Sequence, residues 1–124
     1  MKTQRSDHSG FRAAATVAFV LVTACLVLGA EVEGREIGTV EGLAQDGELT
    51  PLQRSFVHEG GIQCGYCTPG MILEAHAFLH RLEGRRPSTE EIQHALRRHI
   101  CRCGSYQRIL AAVHDAARLS AEAR

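Results

Sequence analysis

Tryptophan is absent from this 124-residue chain, and aromatic side chains amount to four Phe and two Tyr. So few rings leave the core to Leu, Ile, Val and Ala, which favours helices over a β-sandwich. Neither sign of charge predominates, since 14 basic residues balance 14 acidic ones. The balance removes the electrostatic footprint expected of a nucleic-acid-binding protein. Arginines lean towards the second half, where they read as solvated helix faces. No low-complexity tract interrupts the chain, and its length suits one compact domain plus a short additional segment.

Cysteine, by contrast, is plentiful, with five residues. A disulfide scaffold would use an even number spread along the sequence. Here four are bunched as Cys64-x2-Cys67 and Cys101-x-Cys103, and Cys25 stands apart. A Cys101–Cys103 bridge would close a strained ring, and one bridge between the pairs would leave two thiols idle. Tight pairs suit a metal, which needs several thiolates converging on one point.

The N-terminal thirty residues are ambiguous. Ala13 to Ala30 is an uncharged, mostly apolar run of 18 residues behind Lys2, Arg5 and Arg12. Length alone does not separate a signal or membrane segment from a buried one. Val22-Thr23-Ala24-Cys25 is similar to a bacterial lipoprotein cleavage site, but Leu26-Val27-Leu28 stays apolar where a mature lipoprotein turns polar. Membrane association is therefore not the expectation. Residues 31–49 form a polar connector punctuated by Gly34, Gly38, Gly42 and Gly47, with at most a short strand around Ile37 to Val40.

Beyond it, helical periodicity predicts four helices, so the expected fold is mainly α. The first starts at Thr50 as N-cap with Pro51 next and ends at Gly60-Gly61, with Leu52, Phe56 and Val57 on its apolar side. The second starts at Thr68-Pro69 and runs to about Leu82, burying Met71, Ile72, Ala75, Phe78, Leu79 and Leu82. The third opens with the capping box Ser88-x-x-Glu91 and buries Ile92, Leu96 and Ile100. The fourth runs from near Ser105 to about Leu119, with Tyr106, Ile109, Leu110, Val113 and Ala117 inward.

The order is an approximate repeat: helix, cysteine pair, helix, used twice. Two such hairpins packed face to face, as a four-helix bundle, would gather four sulfurs at one end. The second and fourth helices begin just after the pairs, so their N–H groups and positive dipole ends face the thiolates. That suits an anionic centre, such as an oxidised [2Fe–2S] core with four thiolates, and lowers thiol pKa. Gly61, Gly65 and Gly104 let backbone approach it closely, although Gly61 serves equally as a helix terminator. Spacing leaves a structural Cys₄ zinc site open as well, since the C-x-C pair leans towards a cluster without excluding a single ion.

Two stretches carry a family resemblance. Gly60-Gly61-Ile62-Gln63-Cys64-Gly65-Tyr66-Cys67-Thr68-Pro69-Gly70-Met71 and His99-Ile100-Cys101-Arg102-Cys103-Gly104-Ser105-Tyr106-Gln107-Arg108-Ile109 resemble the small iron–sulfur subunit of the molybdenum hydroxylases, the xanthine oxidase and carbon monoxide dehydrogenase family. Glu36-Ile37-Gly38-Thr39-Val40-Glu41-Gly42-Leu43-Ala44 and Leu49-Thr50-Pro51-Leu52-Gln53 are similar to it too. The resemblance implies a helical domain over residues 50–120 holding one [2Fe–2S] cluster on Cys64, Cys67, Cys101 and Cys103. It implies that Gln63 and the Cys103 stretch approach the molybdopterin of a large catalytic subunit. Electrons would pass on to a FAD-binding medium subunit or another acceptor, in the cytoplasm, with no substrate-binding site on this chain. It also implies a preceding plant-type ferredoxin domain, of which residues 1–30 would be a remnant. Cys25 is similar to that domain's fourth ligand, yet no cysteine precedes it, and one thiolate cannot hold a binuclear cluster. An N-terminally truncated relative is the expectation. A zinc interaction module and a non-functional fragment are the alternatives.

The histidines add little. His58, His76, His80, His94 and His114 are expected on exposed helix faces without a metal role. His99, next to the second pair, is expected either to pack or to hydrogen-bond near the centre.

Overall fold

Thr50 and Gln53 start the folded part by satisfying each other's backbone. The Thr50 hydroxyl accepts from the Gln53 N–H at 3.3 Å, and the Gln53 side-chain oxygen accepts from the Thr50 N–H at 2.9 Å. With Pro51 in the first turn, this box launches α1, Pro51–His58. Gln53 also donates from Nε2 to the Val40 carbonyl at 3.0 Å, which fastens the connector to the helix. The computed structural model describes residues 27–34 and 37–122. Within them lie α1 and three further helices: α2, Thr68–Arg81; α3, Thr89–Leu96; and α4, Tyr106–Glu122. No β-strand occurs among the described residues. Ile37–Val40 is not the strand expected; it leads into a 3₁₀ turn at Glu41–Leu43, followed by an isolated bridge between Gln45 and Glu48. Cys25 and the apolar run up to Leu26 lie outside the described residues. None of the described helices is long and apolar enough to cross a membrane.

Each helix end has a chemical cause. Gly60, at φ +65°, ends α1: its N–H reaches the Val57 carbonyl and the Gly61 N–H reaches that of Phe56, at 3.2 and 2.9 Å. These are the two bonds of a Schellman motif. At the start of α2 the cap is Cys67, not Thr68 as expected, and no side chain caps it. The helix ends at Leu82, and the chain reverses through Glu83 and Gly84, at φ +50° and +92°. Ser88 and Glu91 form the expected box at α3, and Arg85 grips Glu91 with two bonds of 3.0 and 2.8 Å.

α1 packs on α4 and α2 on α3, with α3 against α4 and α1 against α2. Phe56, Met71, Ala75, Ile92, Ala112 and Val113 are fully enclosed where the four meet. Ser55 is buried too, and its hydroxyl donates to Asp115 Oδ2 at 2.8 Å, pinning α1 to α4. Three residues expected inside are not. Val57 is 63% exposed, because it stands a 100° step round the short helix from Phe56. Ile100 is 79% exposed, because α3 stops at Leu96 and helical periodicity no longer applies. Tyr106 is 43% exposed, with its hydroxyl turned back towards Cys101.

Candidate metal centre

One loop joins α1 to α2 and another joins α3 to α4. The first runs from Ile62 to Cys67, closed by the Thr68 N–H donating to the Gly65 carbonyl at 3.2 Å. The second runs from His99 to Ser105, closed by the Gly104 N–H donating to the Cys101 carbonyl at 3.1 Å. Gly65 and Gly104 sit at φ +80° and +76°, where a side chain would be strained. A Cβ on either would meet nothing within 4 Å, so the space beside both turns is open.

All four predicted cysteines are free thiols. Cys101 is buried, Cys67 half-buried, and Cys64 and Cys103 exposed. They act on one another across the loops: Cys64 and Cys103 shift each other's pKa, and so do Cys67 and Cys101. Each pair therefore draws one sulfur from each loop.

Their electrostatics alternate. The Tyr66 backbone N–H, and then the Cys103 thiol donating to it, lower the Cys64 pKa. For Cys101 the Ser105 N–H lowers it most, helped by the Cys67 thiol and the Cys103 and Gly104 N–H groups against burial. Burial, and then donation to Cys101, push Cys67 up to about 11. The Cys64 backbone N–H pulls Cys103 down, but donation to the Cys64 sulfur and desolvation leave it raised. Backbone N–H groups thus face the sulfurs of Cys64, Cys101 and Cys103. Metal binding would displace the remaining protons.

Further contacts fix the second loop. The Cys101 N–H donates to the Tyr106 hydroxyl at 2.8 Å. Sequence reasoning missed this bond, because it needs the first turn of α4 to fold back over a residue five positions earlier. Among the described residues, His99 Nε2 and Ser105 Oγ are buried polar atoms without a hydrogen-bond partner. Both lie within two residues of a predicted ligand, and buried polar groups are ordinarily satisfied. Four thiols and N–H donors facing sulfur fit an anionic thiolate-bound centre. Gln63 is exposed on the first loop beside Cys64.

Of the histidines expected on exposed faces, His58, His80 and His94 are exposed, whereas His76 and His114 are half-buried. Burial, with His80 nearby, lowers the His76 pKa. A separate grouping, His58, Glu59 and Asp115, brings three possible ligand atoms within 4.8 Å of one another. Its members are already engaged: His58 with Glu59 at 3.1 Å, and Asp115 with Ser55 and Arg118 at 2.8 and 2.7 Å. It reads as the polar seam between α1 and α4.

A family profile described as "[2Fe-2S] binding domain" matches residues 39–114. The nicotinate dehydrogenase small FeS subunit of Eubacterium barkeri is 45% identical over 95 residues, covering 77% of this chain and 59% of that one. Quinoline 2-oxidoreductase from Pseudomonas putida 86 superposes with a TM-score of 0.71 at 38% identity, covering 79% of this chain and 60% of that one. Aldehyde oxidoreductase from Desulfovibrio gigas gives 0.70 at 35% identity, covering 82% of this chain and 11% of that one. The chain thus spans about three-fifths of the length of the small FeS subunit it matches.

Proposed function

This chain belongs to the [2Fe–2S] binding domain family, and on that premise we propose that it is an electron-carrying subunit of a molybdenum-dependent oxidoreductase. The observation that carries the reading is the meeting of four thiols in two cross-loop pairs. Cys64 and Cys103 would hold one iron, and Cys67 and Cys101 the other. Residues 50–120 form the cluster domain, a bundle of two helix–cysteine pair–helix units.

When bound, the cluster supplies a one-electron store that cycles between ferric and mixed-valence states. The chain's own part is electrostatic. N–H groups of Cys64, Tyr66, Cys103, Gly104 and Ser105 are aimed at the sulfurs, where they stabilise negative charge that grows on reduction. Because these donors are fixed by turns, they would need little rearrangement to stabilise the added charge. Cys64, Cys103 and Tyr66 are exposed, so the centre lies at the surface, as a relay between proteins must. Gln63, beside Cys64, and the Cys103 turn face the molybdopterin of a large subunit, which binds and oxidises the substrate. A FAD-binding subunit is the proposed acceptor, in the cytoplasm, with neither nucleic acid nor membrane as a partner. The small FeS subunit of nicotinate dehydrogenase, similar over 77% of this chain, supports this assignment.

The test is iron, acid-labile sulfide and zinc analysis of anaerobically purified protein. About two iron and two sulfide per chain are expected, with broad visible absorption that bleaches on reduction. Colourless protein containing stoichiometric zinc refutes the reading. Co-expression with a molybdenum subunit should then give a complex that co-purifies and reduces dyes.

A further inference from the structure

Cys67, Gly70 and Glu74 follow one another along α2 at the spacing i, i+3, i+7, which puts them in one stripe. Against it lies His99–Cys101, a segment that has already left α3. Its burial alternates as in an extended chain: the His99 side chain is 11% exposed, Ile100 79% and Cys101 7%. Two contacts join stripe and segment. The thiols of Cys67 and Cys101 meet. The His99 ring occupies a notch on α2 whose floor is Gly70 and whose wall is Glu74. A Cβ on Gly70 would come within 3.2 Å of His99 Nδ1 and 3.3 Å of Cε1. The other ring nitrogen, Nε2, faces Glu74 Oε2 at 3.8 Å, buried and without a hydrogen-bond partner.

The two contacts are in register. From Cys67 to the middle of the Gly70–Glu74 notch is about 7.5 Å of helix at 1.5 Å per residue. Two residues of extended chain, from Cys101 back to His99, span about 6.6 Å. We infer that His99 is a positioning residue: seated in the Gly70–Glu74 notch, it holds Cys101 opposite Cys67 and so sets the separation of two sulfurs that bind one iron. The inference rests on the cluster reading above. It explains why α2 carries a helix-weakening glycine in its first turn, and why a histidine with an unpaired nitrogen is buried beside a carboxylate. The ring acts as a wedge of fixed thickness.

The experiment uses the full chain purified anaerobically, as wild type, His99→Ala, His99→Gln, Gly70→Ala and the exposed-site control His94→Ala. Iron and sulfide content, the rate of iron release to a ferrous chelator, and the EPR g-values and reduction potential of the reduced centre are measured. His99→Ala and Gly70→Ala should release iron faster by about tenfold or more, the scale of lost support around a metal site. Their g-values should move away from wild type, with His99→Gln in between and His94→Ala unchanged. Should His99→Ala fail to fold, Gly70→Ala decides, because it adds one methyl group and removes nothing. Wild-type g-values, potential and release rate in the variants overturn the inference and leave the cluster reading standing. A wild type without iron and sulfide overturns the cluster reading itself.

Discussion

Replacing Tyr106 by Phe isolates the bond that ties the second ligand loop to α4. The hydroxyl accepts from the Cys101 N–H at 2.8 Å, and Cys101 is 7% exposed. The phenyl ring keeps its packing, so the perturbation is one lost acceptor facing one buried donor. Leaving such a donor unsatisfied costs about 1–3 kcal/mol. Because Tyr106 is 43% exposed, water can reach the edge of the site and take over part of the bond, which puts the cost near the lower limit, about 1 kcal/mol. In a folded unit of roughly a hundred residues, 1 kcal/mol lowers Tm by about 4–8 °C. Thermal unfolding followed by circular dichroism measures it directly. Tyr66→Phe is the internal control, since Tyr66 is 94% exposed and its substitution should leave Tm unchanged. If Tyr106→Phe melts with the wild type, the hydroxyl does not hold Cys101, and the account of the second loop fails.

Three further outcomes are expected. Ser55→Ala removes the buried hydroxyl that donates to Asp115 at 2.8 Å, and should cost about 1.5–3 kcal/mol by chemical denaturation, the range for a bond to a charged group. Gly104→Ala forces an L side chain to φ +76° with no steric obstacle around it; the strain, about 1–2 kcal/mol, should lower iron content per chain while leaving the helical circular dichroism intact. Glu91 is held down at about 2 by Arg85 and then by the Ser88 N–H. Its folded pKa lies below the unfolded one, so its stabilisation is present above about pH 4.5 and disappears as pH falls towards 2. Glu91→Gln should therefore flatten the stability profile over that window and change nothing in its shape at neutral pH, as acid titration of the denaturation midpoint can establish.

The sequence made the helices legible wherever a local chemical signal marks their ends. Ser88-x-x-Glu91 and Thr50-Pro51 are such signals, and both helices start where they indicate. The Gly60-Gly61 stop is another. Where the ending is tertiary, local reading overshoots: α3 stops at Leu96 with no glycine or proline to announce it, so Ile100 continued a periodicity that the backbone had abandoned. Thr68 was the obvious cap by residue type, yet the cap position falls to Cys67, whose side chain is engaged with Cys101 instead of the helix. Ile37, Thr39 and Val40 have strand character by composition, but among the described residues no strand lies alongside to pair with them.

The thiol pairs were equally legible as a metal-binding pattern, but which sulfur meets which was not. The interactions run across the loops, Cys64 with Cys103 and Cys67 with Cys101. The reason lies in packing far from sulfur. α1 is pinned to α4 through Ser55 and Asp115, and α2 lies on α3, so each loop joins two helices that are packed against helices of the other half of the repeat. A centre shared between the two loops would respond to changes in either hairpin, and Tyr106, which accepts from the Cys101 N–H at 2.8 Å, is one point where such a change would be felt.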